Sequence, residues 1–183
     1  MLQRMIGAAM LRASTYEEIE ADRSALPQAI GIVILVTLCG IVGNVIASAV
    51  GGGVQVGGIL GAVLNGTLFG VLRWALWVTL ILLIGAKMLK TDSTDTNWAE
   101  LGRVVGFAYT PGVLVLLSFL PGIGGIMGFI AFVWTLVAVV IAIRHALDFE
   151  GTGRAIVVAG ITGVLGFIPW VILRAIQGGV ASS

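Results

Sequence analysis

Residues 24–72 read SALPQAIGIVILVTLCGIVGNVIASAVGGGVQVGGILGAVLNGTLFGVL, 49 positions without a charged side chain. A membrane-crossing helix needs about 20 apolar residues, so this run is too long for one span and must contain a turn. The cluster Gly51, Gly52, Gly53, Gly57 and Gly58 supplies it, because glycine populates both halves of backbone space and is poor inside a helix. The stretch therefore predicts two spans, over 28–50 and 59–86, joined by a glycine-rich bend.

The rest of the chain reads the same way. Further uncharged runs cover 74–86, 104–143 and 155–173, and Pro121 and Gly122 divide the second of them. The expected third, fourth and fifth spans are 104–120, extending back toward Trp98, then 122–143 and 155–173. The fold class is an all-α integral membrane protein. Five transmembrane helices (28–174) are preceded by a short interfacial or cytoplasmic helical segment, 1–27, and followed by a short non-cytoplasmic tail, 175–183. Composition agrees: 58% of residues are hydrophobic, only 10% are charged, and mean hydropathy is +1.11, where a soluble domain carries about 25% charge. Ten Lys and Arg against nine Asp and Glu leave no net field for nucleic acid. A lone Cys39 and a lone His145 give no intrachain disulfide and no metal site, and no cofactor is expected.

Orientation follows from basic residues in the connections, because positive charge near a span end resists translocation. Arg4, Arg12 and Arg23 lie before the first span, Lys87, Lys90 and Arg103 in the second connection, and Arg144 and Arg154 in the fourth. The first and third connections hold none, and the tail holds only Arg174. The amino terminus is therefore expected in the cytoplasm and the carboxyl terminus on the opposite side. Residues 1–27 do not read as a signal peptide, since the apolar stretch 5–11 is short and enclosed by Arg4 and Arg12. Leu2, Met5, Ile6, Ala9 and Met10 instead recur at helical spacing, the pattern of a helix lying at headgroup level. A second, acidic helix should follow, opened by a capping box of Ser14 with Glu17 or Thr15 with Glu18, and Asn97 with Glu100 is a comparable start signal for the third span.

Arg73 stands halfway along the second span, where a central arginine costs about 2.5–3.5 kcal/mol on insertion scales. Gly66, Phe69, Gly70 and Trp77 share its helix face, and no Asp or Glu sits at membrane depth to pair with it. The residue either anchors a boundary by snorkelling or lines a polar cavity or lipid-headgroup contact with Asn65, Asn44, Tyr109 and Pro111. Pro111 removes a backbone hydrogen bond and kinks the third span, and a hydroxyl or neighbouring span can satisfy the carbonyl so freed. Gly66 with Gly70, and Gly124 with Gly128, have the small-xxx-small spacing that lets helices approach closely, either within the monomer or, at Gly124 and Gly128, between copies in a homo-oligomer. The Asn65-Gly66-Thr67 sequon is too near the membrane to serve as a glycosylation site.

The stretch Gly102-Arg103-Val104-Val105-Gly106-Phe107-Ala108-Tyr109-Thr110-Pro111 resembles the "rv-gya-aP" motif of the Yip family, the Ypt-interacting protein domain, in its short prokaryotic form. Thr15-Tyr16-Glu17-Glu18-Ile19 is similar to the aromatic-then-acidic segment before that family's first span. Trp134, Arg144-His145-Ala146 and Arg154-Ala155 resemble its penultimate span and last connection, so the likeness covers nearly the whole chain. The resemblance implies a five-helix, non-enzymatic module of a bacterial cytoplasmic membrane. Eukaryotic members are associated with prenylated small GTPases, early secretory trafficking and membrane shaping. Their DLYGP-type motif is absent here, so GTPase binding is not carried over.

Three function classes compete. A membrane-organising or scaffold module fits the resemblance, the interfacial helix and the glycine faces, with membrane lipids, a second copy and an unidentified membrane or cytoplasmic protein as partners. A small transporter or pore subunit for an anionic or lipid-like substrate would use Arg73 and the Pro111 kink, since cation coupling usually needs an acidic residue at depth. An enzyme has the least support, because no nucleophile with a base, HExxH or GxSxG pattern is present.

Overall fold

In hydrocarbon every backbone N–H and C=O must be bonded internally, and the described elements meet that demand as helices alone. The computed structural model describes residues 1–50, 53, 58–89 and 94–181, with side chains as far as residue 168. The expected glycine bend lies largely outside the described residues. Two short helices, α1 (Leu2–Ala9) and α2 (Ala13–Ala21), precede α3 (Ala25–Val50), α4 (Ile59–Met88), α5 (Trp98–Phe119), α6 (Gly124–Ala146) and α7 (Thr152–Ala181). Four of these, α3 to α6, are long and apolar enough to cross a membrane, and α7 contributes a shorter apolar stretch over Thr152–Ile168. The chain is a multi-pass membrane protein by these helices.

Helix α5 is the centre of the bundle, packed by α3, α4 and α6, and residues 101–108 are all buried. It starts where the sequence signals it. Asn97 accepts from the N–H groups of Ala99 and Glu100, while the Glu100 carboxylate accepts from the Asn97 N–H, a complete capping box. At Pro111 the ring denies Phe107 its usual helical donor, and the Thr110 hydroxyl replaces it at 2.7 Å. Beyond that point α5 continues as a 3-10 helix over Thr110–Phe119, rising about 2.0 Å per residue instead of about 1.5 Å. It ends in a Pro121–Gly122 turn in which Gly122 takes φ +79°, a conformation open to glycine at no steric cost.

Close approach explains several small residues. A Cβ on Gly106 of α5 would lie 2.6 Å from that of Ala29 on α3. One on Gly66 or Gly70 of α4 would meet Ile41 at 2.8 Å or Thr37 at 2.5 Å, both on α3. Gly124 abuts the Ser118 carbonyl across the turn rather than another span, and Gly128 has no neighbour within 4 Å. Near the end of α4 the helix widens to π form over Leu82–Met88, where Gly85 lies against Leu147 and Val158.

The amino-terminal helices depart from the sequence expectation in two ways. No capping box opens α2: its N-cap is Arg12, without a side-chain bond. Leu11 ends α1 in the left-handed region, φ 58°, with the Arg12 N–H on the Gly7 carbonyl, so α2 begins one residue before Ser14. Thr15 is used differently, packing against Gly7 of α1. The apolar stripe of α1 is also divided: Leu2, Ile6 and Met10 face outward at 69%, 49% and 58% exposure, while Gly7 and Ala8 make the buried contact.

Gly106→Ala tests the α3–α5 contact. Overpacking of this kind typically costs about 1–3 kcal/mol, read as a lower unfolding midpoint in detergent. Gly160→Ala, with open space around it, should stay within about 0.5 kcal/mol of wild type.

Candidate functional site

The densest polar constellation of the bundle joins the amino-terminal hairpin to the spans. Helices α1 and α2 each end in carbonyls that accept from side chains of other elements. Arg103 of α5 is 3% exposed, and its guanidinium donates to the carbonyls of Ile19 and Glu20 at the end of α2. The helix dipole places partial negative charge there, so the geometry suits a cation. The Trp134 indole N–H of α6 donates to the Ala9 carbonyl at 2.8 Å. The Tyr16 hydroxyl donates to the Ala8 carbonyl at 2.9 Å and lies 3.4 Å from that of Ala138, while its ring stacks on His145. Burial pushes the Tyr16 phenol up from its ordinary pKa, so it stays a donor.

Arg4 of α1 closes the outside of the hairpin, donating to Glu18 at 2.8 Å and Asp22 at 2.6 Å. Hydrogen bonds from Ser24 and then Arg4 hold the Asp22 carboxyl down at about 2. Helix α1 thus lies across the bundle: Met1 reaches Gly31 of α3 at one end, and Ala9 is bonded to α6 at the other. Between α2 and the start of α5 lies a cavity of about 490 Å3 lined by Glu17, Glu20, Asp95, Thr96, Asn97 and Glu100.

The five polar candidates read from sequence do not come together in one site. Arg73 is exposed on α4 and makes no hydrogen bond or ion pair among the described residues, although its charge acts on the Tyr109 hydroxyl. Tyr109 in turn meets Trp77 edge-on, ring centroids 6.0 Å apart, and the Trp77 N–H donates to Thr162 of α7. Pro111 is buried two residues beyond Tyr109. Asn44 and Asn65 turn back on their own helices, donating to Gly40 and Gly61. Asn44 also lines a separate cleft of about 340 Å3 between α3 and α4, with Ile41, Ser48 and Ile59.

Sequence reading did not single out Tyr16, Arg103 or Trp134 as a site. The sequence places Arg103 in the connection before the third span, yet α5 begins at Trp98 and buries it more than a turn inside the helix. Its signal was available: one cation between Leu101, Val104 and Val105, in a stretch with no acidic neighbour beyond Glu100. The Tyr16 and Trp134 partners are backbone carbonyls, which no side-chain pattern reveals.

A family model, the Yip1 domain, matches residues 9–173. No curated protein and no solved structure is similar enough to this chain to be matched.

Arg103→Leu leaves the two α2 carbonyls without donors, and hydrogen bonds to charged groups contribute about 1.5–3 kcal/mol each. Limited proteolysis should then cut between residues 9 and 25 while the spans stay intact. Tyr16→Phe, which keeps the ring, should cost about 1 kcal/mol in the unfolding midpoint.

Proposed function

Because this chain belongs to the Yip1 domain family, we propose that it is a non-enzymatic membrane-organising module, acting through helix packing, lipid contacts and partner binding. One observation carries the reading: α1 is fixed to the spans by hydrogen bonds, yet Leu2, Ile6 and Met10 are left uncovered. A short helix held across a bundle with an apolar face outward presents that face to lipid at the interface. In this reading five spans cross a bacterial cytoplasmic membrane, the amino terminus is cytoplasmic, and the carboxyl terminus lies on the opposite side. Arg73, exposed beside Trp77 and Tyr109, contacts an anionic headgroup. The open face of Gly128, flanked by the exposed Phe129 and Phe132, serves contact with a second copy. A transporter has less to stand on, since the Asn44 cleft does not include Arg73.

Native mass spectrometry in mild detergent, wild type beside Arg73→Leu, tests the proposal. A defined oligomer that retains anionic lipid only in the wild type supports it, and a lipid-free monomer in both variants refutes the lipid and oligomer contacts. Fusions at Ser183 test orientation. Alkaline phosphatase there should be active and a cytoplasmically folding fluorescent protein dark, and the reverse pattern overturns the assignment.

A further inference from the structure

The interface between α2 and the spans contains a carboxyl group that forms no ion pair among the described residues. Glu20 is half-buried in the last turn of α2 and lines the 490 Å3 cavity with Glu17 of its own helix, Asp95 from the connection before α5 and Glu100 from the first turn of α5. Asp148, in the connection between α6 and α7, adds its field. Of the described cations nearby, Arg103 acts on the Glu20 carboxyl through its field, opposing the acidic groups, and none donates to it. Arg103 is held by the backbone carbonyls of Ile19 and Glu20 and forms no ion pair with a carboxylate among the described residues. Arg144 on α6 donates to the carbonyls of Phe149 and Glu150, Arg4 on α1 is bonded to Glu18 and Asp22, and His145 stacks on Tyr16.

The same residue thus offers its carbonyl to the cation that docks α2 and its carboxyl to a wall of like charge. We propose that Glu20 is a proton-sensitive latch: protonated, it lets the amino-terminal hairpin stay docked on the spans, and ionised, it drives α2 away from Glu100 and Asp148.

Burial, followed by the fields of Asp148 and Glu100 and a smaller one from Glu17, outweighs the opposing field of Arg103 and holds the Glu20 carboxyl up at about 7, against 4.5 when free. The docked form therefore binds more protons than the released form between those two values. Docking is strongest below the free value, weakens as pH rises through the window, and is weakest above the docked value. Neutral pH falls at the upper edge, where a small change in proton activity moves the population. This inference does not depend on the lipid or scaffold reading.

The test is a bimane label at Met10→Cys in a Cys39→Ser background, in nanodiscs of zwitterionic lipid, quenched by the neighbouring Trp134. Met10 is exposed, and it follows the residue whose carbonyl Trp134 binds. Quenching should fall at least twofold as pH rises from about 6 to about 8, with a midpoint near neutrality. Glu20→Gln should remain quenched throughout. Glu100→Gln, which keeps Glu20 and removes a like charge, should move the midpoint downward. A flat wild-type profile, the same titration in Glu20→Gln, or an unmoved midpoint in Glu100→Gln overturns the proposal.

Discussion

A buried guanidinium must be neutralised, and in this protein a helix end does it. Arg103 lies at 3% exposure in the middle of the bundle, where an uncompensated charge would cost several kcal/mol. No carboxylate pairs with it among the described residues, so the carbonyls of Ile19 and Glu20 and the dipole behind them carry the compensation. That makes α2 a structural necessity for α5. It also fixes α1, which follows α2 through the Tyr16 hydroxyl, the Gly7–Thr15 contact and the Arg4 ion pairs.

The two arginines in apolar surroundings are resolved differently. Arg73 stays at the surface of α4, where a long side chain can carry its charge toward water or a headgroup. Arg103 sits between Leu101 and Val104 on a helix buried all round, has no such exit, and is tied to backbone instead. Charge in both cases sits among apolar residues in sequence. Only the packing of the helix that bears it decides whether it anchors or docks.

That distinction marks the limit of what the residues alone could tell. The helical architecture was legible because the demands of hydrocarbon are local: an uncharged run of 49 positions must turn, Pro121 and Gly122 must end a helix, and Pro111 must release a carbonyl. The Asn97 and Glu100 cap was legible for the same reason. The capping box assigned to Ser14 or Thr15 failed because Leu11 reverses the chain sooner than the pattern implied. Whether Gly128 or Gly106 faces a neighbour depends on which side of a helix meets another, and glycine spacing is the same on both sides. The hairpin network was hidden most deeply, since its acceptors are main-chain carbonyls far away in the chain.

That distance has a consequence in time. Trp134 and Ala9 are 125 residues apart, and Tyr16 and Ala138 are 122 apart. The segment made first therefore waits for α6, among the last helices made, before the Ala9 carbonyl finds its donor and Tyr16 reaches the Ala138 carbonyl. At about 5–20 residues per second of synthesis the interval is on the order of ten seconds. During it the nascent chain presents Leu2, Ile6 and Met10 on an unanchored amphipathic segment, available to whatever receives the growing chain at the membrane.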